Sequence, residues 1–175
     1  MAKEQQVVGM AEIKTAKGHT TYNCLGLGSC VCLVAYDPQA EISGMVHIML
    51  PNAFKDKPVE RKGKFADTGI AALLEEMQEL GADPCRLLVA YAGGAQVFRS
   101  GVLEENRLDV GARNGESVAK VLSELKVHVV ASDIGGNHGR TLTFCTQTGL
   151  IRVRTVASGE RPLCNMKQGL LRTAA

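Results

Sequence analysis

The chain has 175 residues, of which 45% are hydrophobic and 22% are charged, a composition typical of one globular domain with a sizeable core. Its net charge of +2, its aromatic content of 4% and its lack of tryptophan argue against a nucleic-acid partner. The N-terminal segment lacks the apolar region of a signal peptide, and no apolar run is long enough to span a bilayer. We therefore expect a cytoplasmic protein that does not insert into membranes and whose six cysteines stay reduced.

In the first half of the chain, short apolar runs alternate with polar segments. The runs that predict β-strands are residues 6–16, 31–37 and 42–50. The last two are joined by a turn that contains an Asp-Pro pair, which predicts a hairpin-like pair of strands buried on both faces. Residues 17–23 predict a polar turn, and the charged residues 52–64 predict a surface loop that could act as a flap.

The second half of the chain adds helices to further strands. Apolar residues at helical spacing predict one helix over residues 65–81 and another over residues 115–126. The runs that predict strands are residues 86–95, 127–133, 140–146 and 150–156. Residues 96–114 have no regular pattern, and the polar segment from Ser158 onward predicts a loosely held tail.

Two helices and seven or eight strands that follow one another in meander-like pairs predict an α+β fold, not alternating βα units. We expect a layered molecule in which two or three helices pack on a largely antiparallel, β-sandwich-type core. The whole chain, residues 1–175, is expected to form a single domain, with a core over about residues 7–156 and a polar tail over residues 157–175.

The most unusual stretch is LGLGSC, in which small residues lead into Cys30. A dinucleotide-binding fingerprint would need a third glycine where the sequence has Val31, so that interpretation fails. A thiol after such a turn could be a buried core residue, a zinc ligand or a nucleophile. If it is a nucleophile, backbone N–H groups around Gly28 and Ser29 could stabilise an oxyanion.

A nucleophilic cysteine needs a base, and His47 is unusual because it interrupts the apolar run MVHIML. Folding the strands that carry His47 and Cys30 into a hairpin would bring the two residues to the same end. Each residue taken alone is more typical of a packed core position. A zinc site that also uses Cys24 and Cys32 is another alternative, although the spacing does not follow paired zinc knuckles.

Six longer stretches carry a resemblance to a known family. They are LGLGSCVCLVAYD, SGMVHIMLPN, GKFADTGIAALLEEMQELGA, AYAGGAQVF, VGARNGESV and SDIGGNHGRTLTFCTQTGLIRVR. In this order and at this spacing they resemble CheD, the family of chemoreceptor glutamine deamidases of bacterial and archaeal chemotaxis. The resemblance covers about residues 7–156, nearly the whole chain.

The resemblance implies a cysteine-hydrolase-like site built on a β-sandwich, with Cys30 as the nucleophile and His47 as the acid and base. Backbone N–H groups around Gly28 and Ser29 would hold the oxyanion. The third residue of the family site is a threonine, and this position is Cys24 here. Because a thiol is a weaker hydrogen-bonding group than a hydroxyl, this departure could lower activity or leave the role to a nearby threonine.

The implied reaction converts specific glutamines of methyl-accepting chemotaxis receptors to glutamate, with release of ammonia and no metal or cofactor. The implied partners are these chemoreceptors and a CheC-type phosphatase. The alternative, favoured modestly by Cys24, is a weakly catalytic or non-catalytic regulator that binds receptors and the phosphatase.

Overall fold

A computed structural model of the chain describes residues 4–97 and 109–168. The strands in this part are β1 (Glu4–Val7), β2 (Ile13–Lys17), β3 (Thr20–Leu27), β4 (Val31–Asp37), β5 (Ile42–Ile48), β6 (Leu88–Gly93), β7 (His128–Ile134), β8 (Arg140–Cys145), β9 (Leu150–Thr155) and β10 (Gly159–Asn165). The α-helices are α1 (Ala66–Glu79) and α2 (Val110–Glu124), and short 3-10 turns span Lys62–Lys64 and Pro84–Arg86. In the described part of the chain, no helix is long and apolar enough to cross a membrane.

The strands of the described residues form two five-stranded sheets. The first sheet has the order β1-β3-β8-β9-β10, and the second has the order β2-β5-β4-β6-β7. Neighbouring strands are antiparallel except in two pairs, β1 with β3 and β6 with β7, which are parallel. The predicted α+β fold, with a sheet-rich core and packed helices, is confirmed.

Strand β4 lies at the centre of the second sheet and is buried along its whole length. Because side chains alternate along a strand, Val31 and Leu33 face the helices, whereas Cys32 and Tyr36 face the first sheet. The molecule therefore has three layers: the first sheet, the second sheet, and the helix pair α1 and α2. The apolar character of β4 follows from this burial on both faces.

Aromatic side chains pack the layer between the two sheets. The Phe144 ring stacks on the Tyr22 ring with centroids 6.3 Å apart, and it meets the Tyr36 ring edge-on at 5.6 Å. All three side chains are fully buried. The spacing of the two sheets thus depends on side chains contributed by both of them.

The predicted single strand over residues 6–16 is wrong, because the chain turns back within it. Strand β1 ends at Val7, β2 begins at Ile13, and the two strands belong to different sheets. Between them Ala11 has a φ of 60°, in the left-handed region that few non-glycine residues adopt. Nothing in the apolar pattern marks this reversal.

The predicted polar turn over residues 17–23 is wrong over most of its length, because β3 begins at Thr20. In β3 the inward side chains, such as Tyr22 and Cys24, are buried, while the alternate side chains are more exposed. The polar residues of the outward face concealed this alternation in the sequence. The prediction of a surface loop over residues 52–64 agrees with the exposure of most side chains there.

Helix α2 begins at Val110, five residues before the predicted start. Its first turns contain Gly111 and Asn114, residues with poor helix propensity, which explains the late prediction. A Cβ atom at Gly111 would lie 2.6 Å from Ala95 O, so only glycine allows the helix to approach that backbone so closely. Residues 98–108 of the predicted irregular segment lie outside the described residues.

The expectation of a loosely held tail after Ser158 does not hold for residues 159–166. Strand β10 pairs with β9, with a register shift between Pro162 and Cys164. Cys164 and Met166 are buried, whereas the first residues of β10 are exposed. An edge strand with one solvated face and a proline at an irregularity has little apolar signal in the sequence.

Candidate active site

The loop that carries Cys30 crosses from one sheet to the other. Strand β3 of the first sheet ends at Leu27, and β4 of the second sheet begins at Val31. Backbone bonds fix this loop against the segment after β6: the N–H of Gly94 donates to Cys30 O at 2.8 Å, and the N–H of Ala95 donates to Gly28 O at 2.8 Å. The loop therefore lies at one end of the layer between the sheets, held by its carbonyl groups.

The N–H groups of the same loop, unlike its carbonyl groups, are not used to hold the loop in place. Gly28, Ser29 and Cys30 donate backbone hydrogen bonds to none of the residues that the structure describes. Ser29 is exposed, and the Cys30 side chain is half-buried against the inter-sheet cluster. The loop thus combines an accessible thiol with a short run of N–H donors that are available to a ligand.

His47 lies on β5, the strand beside β4. The register pairs His47 with Cys32, so both side chains share the face that points toward the first sheet. Cys30 lies two residues before Cys32 and packs at the same end of that face. The imidazole is 3% exposed, so it is shielded from bulk water.

Two groups from the first sheet and its N-terminal segment surround the ring atom Nδ1 of His47. Cys24 Sγ lies 3.3 Å from Nδ1, and Val8 O lies 3.4 Å from it. Because a carbonyl oxygen only accepts hydrogen bonds, the contact with Val8 favours the tautomer that carries a proton on Nδ1. The other ring nitrogen, Nε2, is buried and has no hydrogen-bond partner among the described residues.

The thiols change the protonation of this histidine. Burial lowers the pKa of His47, but interactions with Cys24 and then with Cys30 outweigh burial and raise the pKa to about 10. Cys30 thus lies close enough to stabilise the imidazolium, although it forms no aligned hydrogen bond with the ring. Thiol–imidazole contacts are often loose in an unliganded site.

Cys24 responds in the opposite direction. A hydrogen bond from Cys32 lowers the pKa of Cys24, burial raises it, and His47 lowers it further, with a net result of about 6. The pKa of Cys32 rises well above its usual value because the thiol is fully buried and faces Cys24. The electrostatics therefore favour a Cys24 thiolate beside a His47 imidazolium, with Cys32 as a neutral donor.

Comparisons with known proteins identify the family. Residues 49–155 match the family model described as CheD chemotactic sensory transduction. The chain belongs to the CheD family. It is 45% identical over 152 residues to the probable chemoreceptor glutamine deamidase CheD of Caldanaerobacter subterraneus subsp. tengcongensis, covering 87% of this chain and 93% of the relative.

Other CheD proteins are similarly close. The probable chemoreceptor glutamine deamidase CheD of Desulforamulus reducens is 42% identical over 151 residues, with 86% of this chain and 90% of the relative covered. The chemoreceptor glutamine deamidase CheD of Halalkalibacterium halodurans is 40% identical over 157 residues, with 89% and 96% covered. The range matched by the family model begins after His47, so that match rests on residues outside the thiol–imidazole cluster.

The residues selected for a CheD-type site lie together in the structure. Cys24, Cys30 and His47 meet at one end of the inter-sheet layer, and Gly28 and Ser29 form the loop before the thiol. In the described part of the chain, no group of three or more His, Cys, Asp or Glu side chains is arranged to hold a metal ion.

Sequence reasoning missed two contributors to this candidate site. Val8 acts through its backbone carbonyl, which leaves no mark on the choice of side chain. Asn114 donates hydrogen bonds to the backbone on both sides of the site, at Ser29 and Met49. In the sequence, its one signal is its place in the family stretch VGARNGESV.

Proposed function

We propose that this chain is a protein-glutamine deamidase that hydrolyses the side-chain amide of specific glutamines in chemoreceptors, releasing ammonia and leaving glutamate. The observation that carries this function is the arrangement around His47. Its Nδ1 atom is held by Cys24 and Val8, while Nε2 has no partner among the described residues. This leaves Nε2 available to exchange protons with Cys30 and the substrate.

The reaction starts from molecules in which His47 is neutral, with its proton on Nδ1 and Nε2 free. In the first step, Nε2 accepts the Cys30 proton, and the resulting thiolate attacks the Cδ carbonyl carbon of a glutamine. A carbon–sulfur bond forms, and the carbonyl oxygen becomes an oxyanion. The N–H groups of Gly28, Ser29 and Cys30 would stabilise this oxyanion, since they have no described partner. Imidazolium Nε2 then gives its proton to the departing ammonia, and a thioester remains.

Hydrolysis of the thioester completes the cycle. Neutral Nε2 removes a proton from a water molecule, whose oxygen attacks the thioester carbon. The carbon–sulfur bond breaks, the Cys30 sulfur is released, and glutamate leaves. Thiolate, imidazole and backbone N–H groups together supply every step, so this sequence calls on no metal or organic cofactor.

Cys24 would take the place of the family threonine as the group that orients the imidazole. Its Sγ atom already contacts Nδ1 at 3.3 Å. Unlike a hydroxyl, a thiol with a lowered pKa can carry a negative charge near neutral pH. We therefore assign Cys24 an orienting role with an electrostatic effect that threonine would not have.

Exposed apolar side chains beside the site offer a surface for a protein substrate. They are Val7, Met10, Leu25 and Val97, with exposed fractions of 53%, 59%, 55% and 43%, and we name them the apolar rim. Leu25 directly follows Cys24, and the Val97 side chain lies against Gly28. We expect apolar groups that flank the target glutamine to contact this rim.

The test incubates the folded chain with purified cytoplasmic fragments of chemoreceptors and follows glutamine-containing peptides by mass spectrometry. We expect the mass increase that accompanies replacement of an amide NH2 by OH at specific glutamines. Cys30→Ala should abolish the increase while keeping the wild-type circular dichroism spectrum, and Cys85→Ala, at an exposed cysteine, serves as the control. Deamidation at the wild-type rate in folded Cys30→Ala would show that another group is the nucleophile.

The family resemblance supports two finer parts of the proposal. A CheC-type phosphatase would be a second partner, and the site of action would be the cytoplasm, where the implied receptor glutamines lie. We also propose that residues 1–175 act as one catalytic domain. Co-purification of Cys30→Ala with a CheC-type phosphatase and, separately, with a receptor fragment tests both partners without turnover. If the phosphatase is not retained, it is not a partner of this chain.

A further inference from the structure

Asn114 on α2 connects the two backbone segments that carry the proposed nucleophile and the proposed base. It is fully buried, and its Nδ2 atom donates to Ser29 O at 2.8 Å and to Met49 O at 2.9 Å. Ser29 directly precedes Cys30, and Met49 follows His47 by two residues. One amide group therefore contacts the chain on both sides of the thiol–imidazole cluster.

The orientation of this amide follows from its partners. Both partners are carbonyl oxygens, which only accept hydrogen bonds, so the NH2 group must face them. Both N–H donors of Asn114 are then used, one for each segment. Its Oδ1 atom is buried and has no partner among the described residues, so these two donated bonds are the visible reason for a polar side chain here.

The two bonds fall where the β4–β5 ladder stops. The last paired residues are Val31 and Ile48, and beyond them the strands diverge. The loop of Cys30 crosses to the first sheet, while the N–H groups of Met49 and Leu50 both donate to Lys64 O at 3.0 Å and draw that segment toward α1. The Asn114 amide spans the opening between the diverging segments.

We propose that Asn114 is a positioning residue that sets the separation between the Cys30 loop and the strand end after His47. This role rests on the proposed deamidase function. If the loop shifted, the thiol and the N–H groups of Gly28 and Ser29 would no longer meet one substrate carbonyl beside Nε2. A displacement of about 1 Å at a reacting group can lower the rate about 100-fold.

The test compares Asn114→Leu, which has a similar volume and no donor, with Asn114→Gln, which keeps both donors on a longer side chain. In Asn114→Leu we expect kcat for a receptor fragment to fall about 100-fold, with a smaller change in KM. Asn114→Gln should recover part of this loss. A second readout is the alkylation rate of Cys30 by iodoacetamide across a pH series, with exposed Cys85 as the internal reference. The alkylation rate of Cys30 should be highest in the wild-type chain, lower in Asn114→Gln and lowest in Asn114→Leu.

Ser117→Ala is the matched control. Ser117 is buried on the same helix and donates to Pro51 O at 2.8 Å, so its loss removes a comparable bond away from the Cys30 loop. We expect a lower thermal midpoint but wild-type kcat and wild-type alkylation of Cys30. A loss of kcat and of alkylation as large as in Asn114→Leu would show that any defect in α2 has this effect, and it would overturn the positioning role.

Wild-type kcat and alkylation in folded Asn114→Leu would also overturn the role. If that variant does not fold, Asn114→Gln decides alone, because its longer side chain displaces both donors, and wild-type values there count against the proposal. If the wild-type chain deamidates no receptor fragment, the proposed function fails, whereas the alkylation series still decides the role of Asn114.

Discussion

At the scale of single residues, two thiols act on the protonation of His47. Cys24 contacts Nδ1, and Cys30 also helps to hold the imidazolium form. The two thiols therefore compete for one positive charge. The lowered pKa of Cys24 indicates that it takes the larger share of that charge.

Cys24→Thr should remove this competition. Threonine keeps an oxygen near Nδ1 but cannot ionise, so the imidazolium would have Cys30 as its only anionic partner. We expect kcat near neutral pH to rise about tenfold, equivalent to ~1.4 kcal/mol of barrier. The pH dependence of kcat is measured for both forms, together with thiolate absorbance in the ultraviolet.

The absorbance gives an independent check on the same substitution. The wild-type chain should show a thiolate that titrates with a pKa near 6, and Cys24→Thr should lose it. Cys164→Ser, at a buried thiol whose pKa is raised to about 11 by burial, should leave this titration unchanged. A pH–rate profile that does not move in Cys24→Thr would mean that the thiol suits its position as well as the family residue does.

The sequence singled out Cys30 after a glycine-rich turn and His47 within an apolar run, whereas Cys24 was chosen because it stands where the CheD family has a threonine. It could not reveal Val8, whose contribution is a carbonyl group common to every residue. It also could not show that Asn114 reaches two carbonyls, because those partners lie 85 and 65 residues away in the chain. Side-chain chemistry is thus readable from sequence, whereas backbone partners depend on the fold.

At the scale of elements, the turn between β4 and β5 is held by an ion pair between buried Asp37 and partly exposed Arg86, far from the site. Burial raises the pKa of Asp37, but Arg86 and the backbone N–H groups of Asp83, Ala40 and Gln39 outweigh it and lower the pKa to about 2. Arg86 Nη2 lies 2.7 Å from Asp37 Oδ2, and Arg86 Nε lies 3.1 Å from Asp37 Oδ1. This bidentate pair fixes the end of the central hairpin.

Asp37→Asn should destabilise the fold by about 2 kcal/mol at neutral pH, since one pKa unit corresponds to about 1.4 kcal/mol. A carboxyl group whose folded pKa is lowered contributes stability above its unfolded pKa of 3.8, and this contribution is lost as pH falls through about 2. The difference in urea unfolding free energy between the two forms should therefore shrink in acid.

Arg152→Gln is a suitable control, because its ion pair with Glu160, at 3.1 Å, is exposed on both sides. Surface pairs of this kind contribute about 1 kcal/mol or less, so we expect only a small loss of stability. A loss in Asp37→Asn no larger than in Arg152→Gln would contradict the role given to the pair of Asp37 and Arg86. Deamidation should be close to wild type in both variants.

The apolar rim makes a separate prediction. Leu25→Asp places a charge beside the site on an outward-facing position, so we expect KM for a receptor fragment to rise about tenfold, or ~1.4 kcal/mol, with kcat nearly unchanged. The control is Leu125→Asp, at an exposed residue that caps the opposite end of α2 from Asn114. Equal effects of the two variants on KM would mean that the rim does not contact the substrate.

Sequence patterns predicted best the elements whose apolar residues form an unbroken run or a continuous face. Strand β4 is apolar because both of its faces are buried, and α1 has a continuous apolar face. Strand β3 was missed because its outward side chains are polar, and β10 was missed because it is a largely exposed edge strand. The amphipathic character of a strand is harder to recognise when polar or exposed residues dominate it.

At the scale of the whole molecule, the proposed site spans the two sheets. Cys24 belongs to the first sheet and His47 to the second, so their 3.3 Å contact depends on how the sheets pack. Sheet order and the reversal around Ala11 could not be predicted from the sequence, because each depends on pairing between distant segments. The fold class, in contrast, followed from the number of predicted helices and strands and from their order in meander-like pairs.

Phe144→Ala tests the dependence of the site on sheet packing. We expect a loss of about 3–5 kcal/mol of stability, because the ring fills the layer between the sheets. Deamidation should also decrease at temperatures where the variant is still folded, since the first sheet can shift relative to the second. Urea unfolding and kcat are measured at the same temperature.

Met77→Ala provides the comparison, because Met77 is buried between α1 and the opposite face of the second sheet. Its loss of stability should also reach about 2–5 kcal/mol, but kcat should change less than in Phe144→Ala. If the two variants lose activity in proportion to stability alone, the packing of the sheets has no special connection with the site.

The loop that crosses between the sheets also has a consequence for biosynthesis. Val8, Cys24, Cys30 and His47 all lie in the first 48 residues, whereas Gly94, Ala95 and Asn114 are made much later. Strand β3 must wait still longer for its neighbour β8, which begins at Arg140. On the ribosome, the reactive groups therefore emerge early, but the residues that hold them in place are added only when most of the chain has been synthesised. The site can form only after these later segments have folded against it.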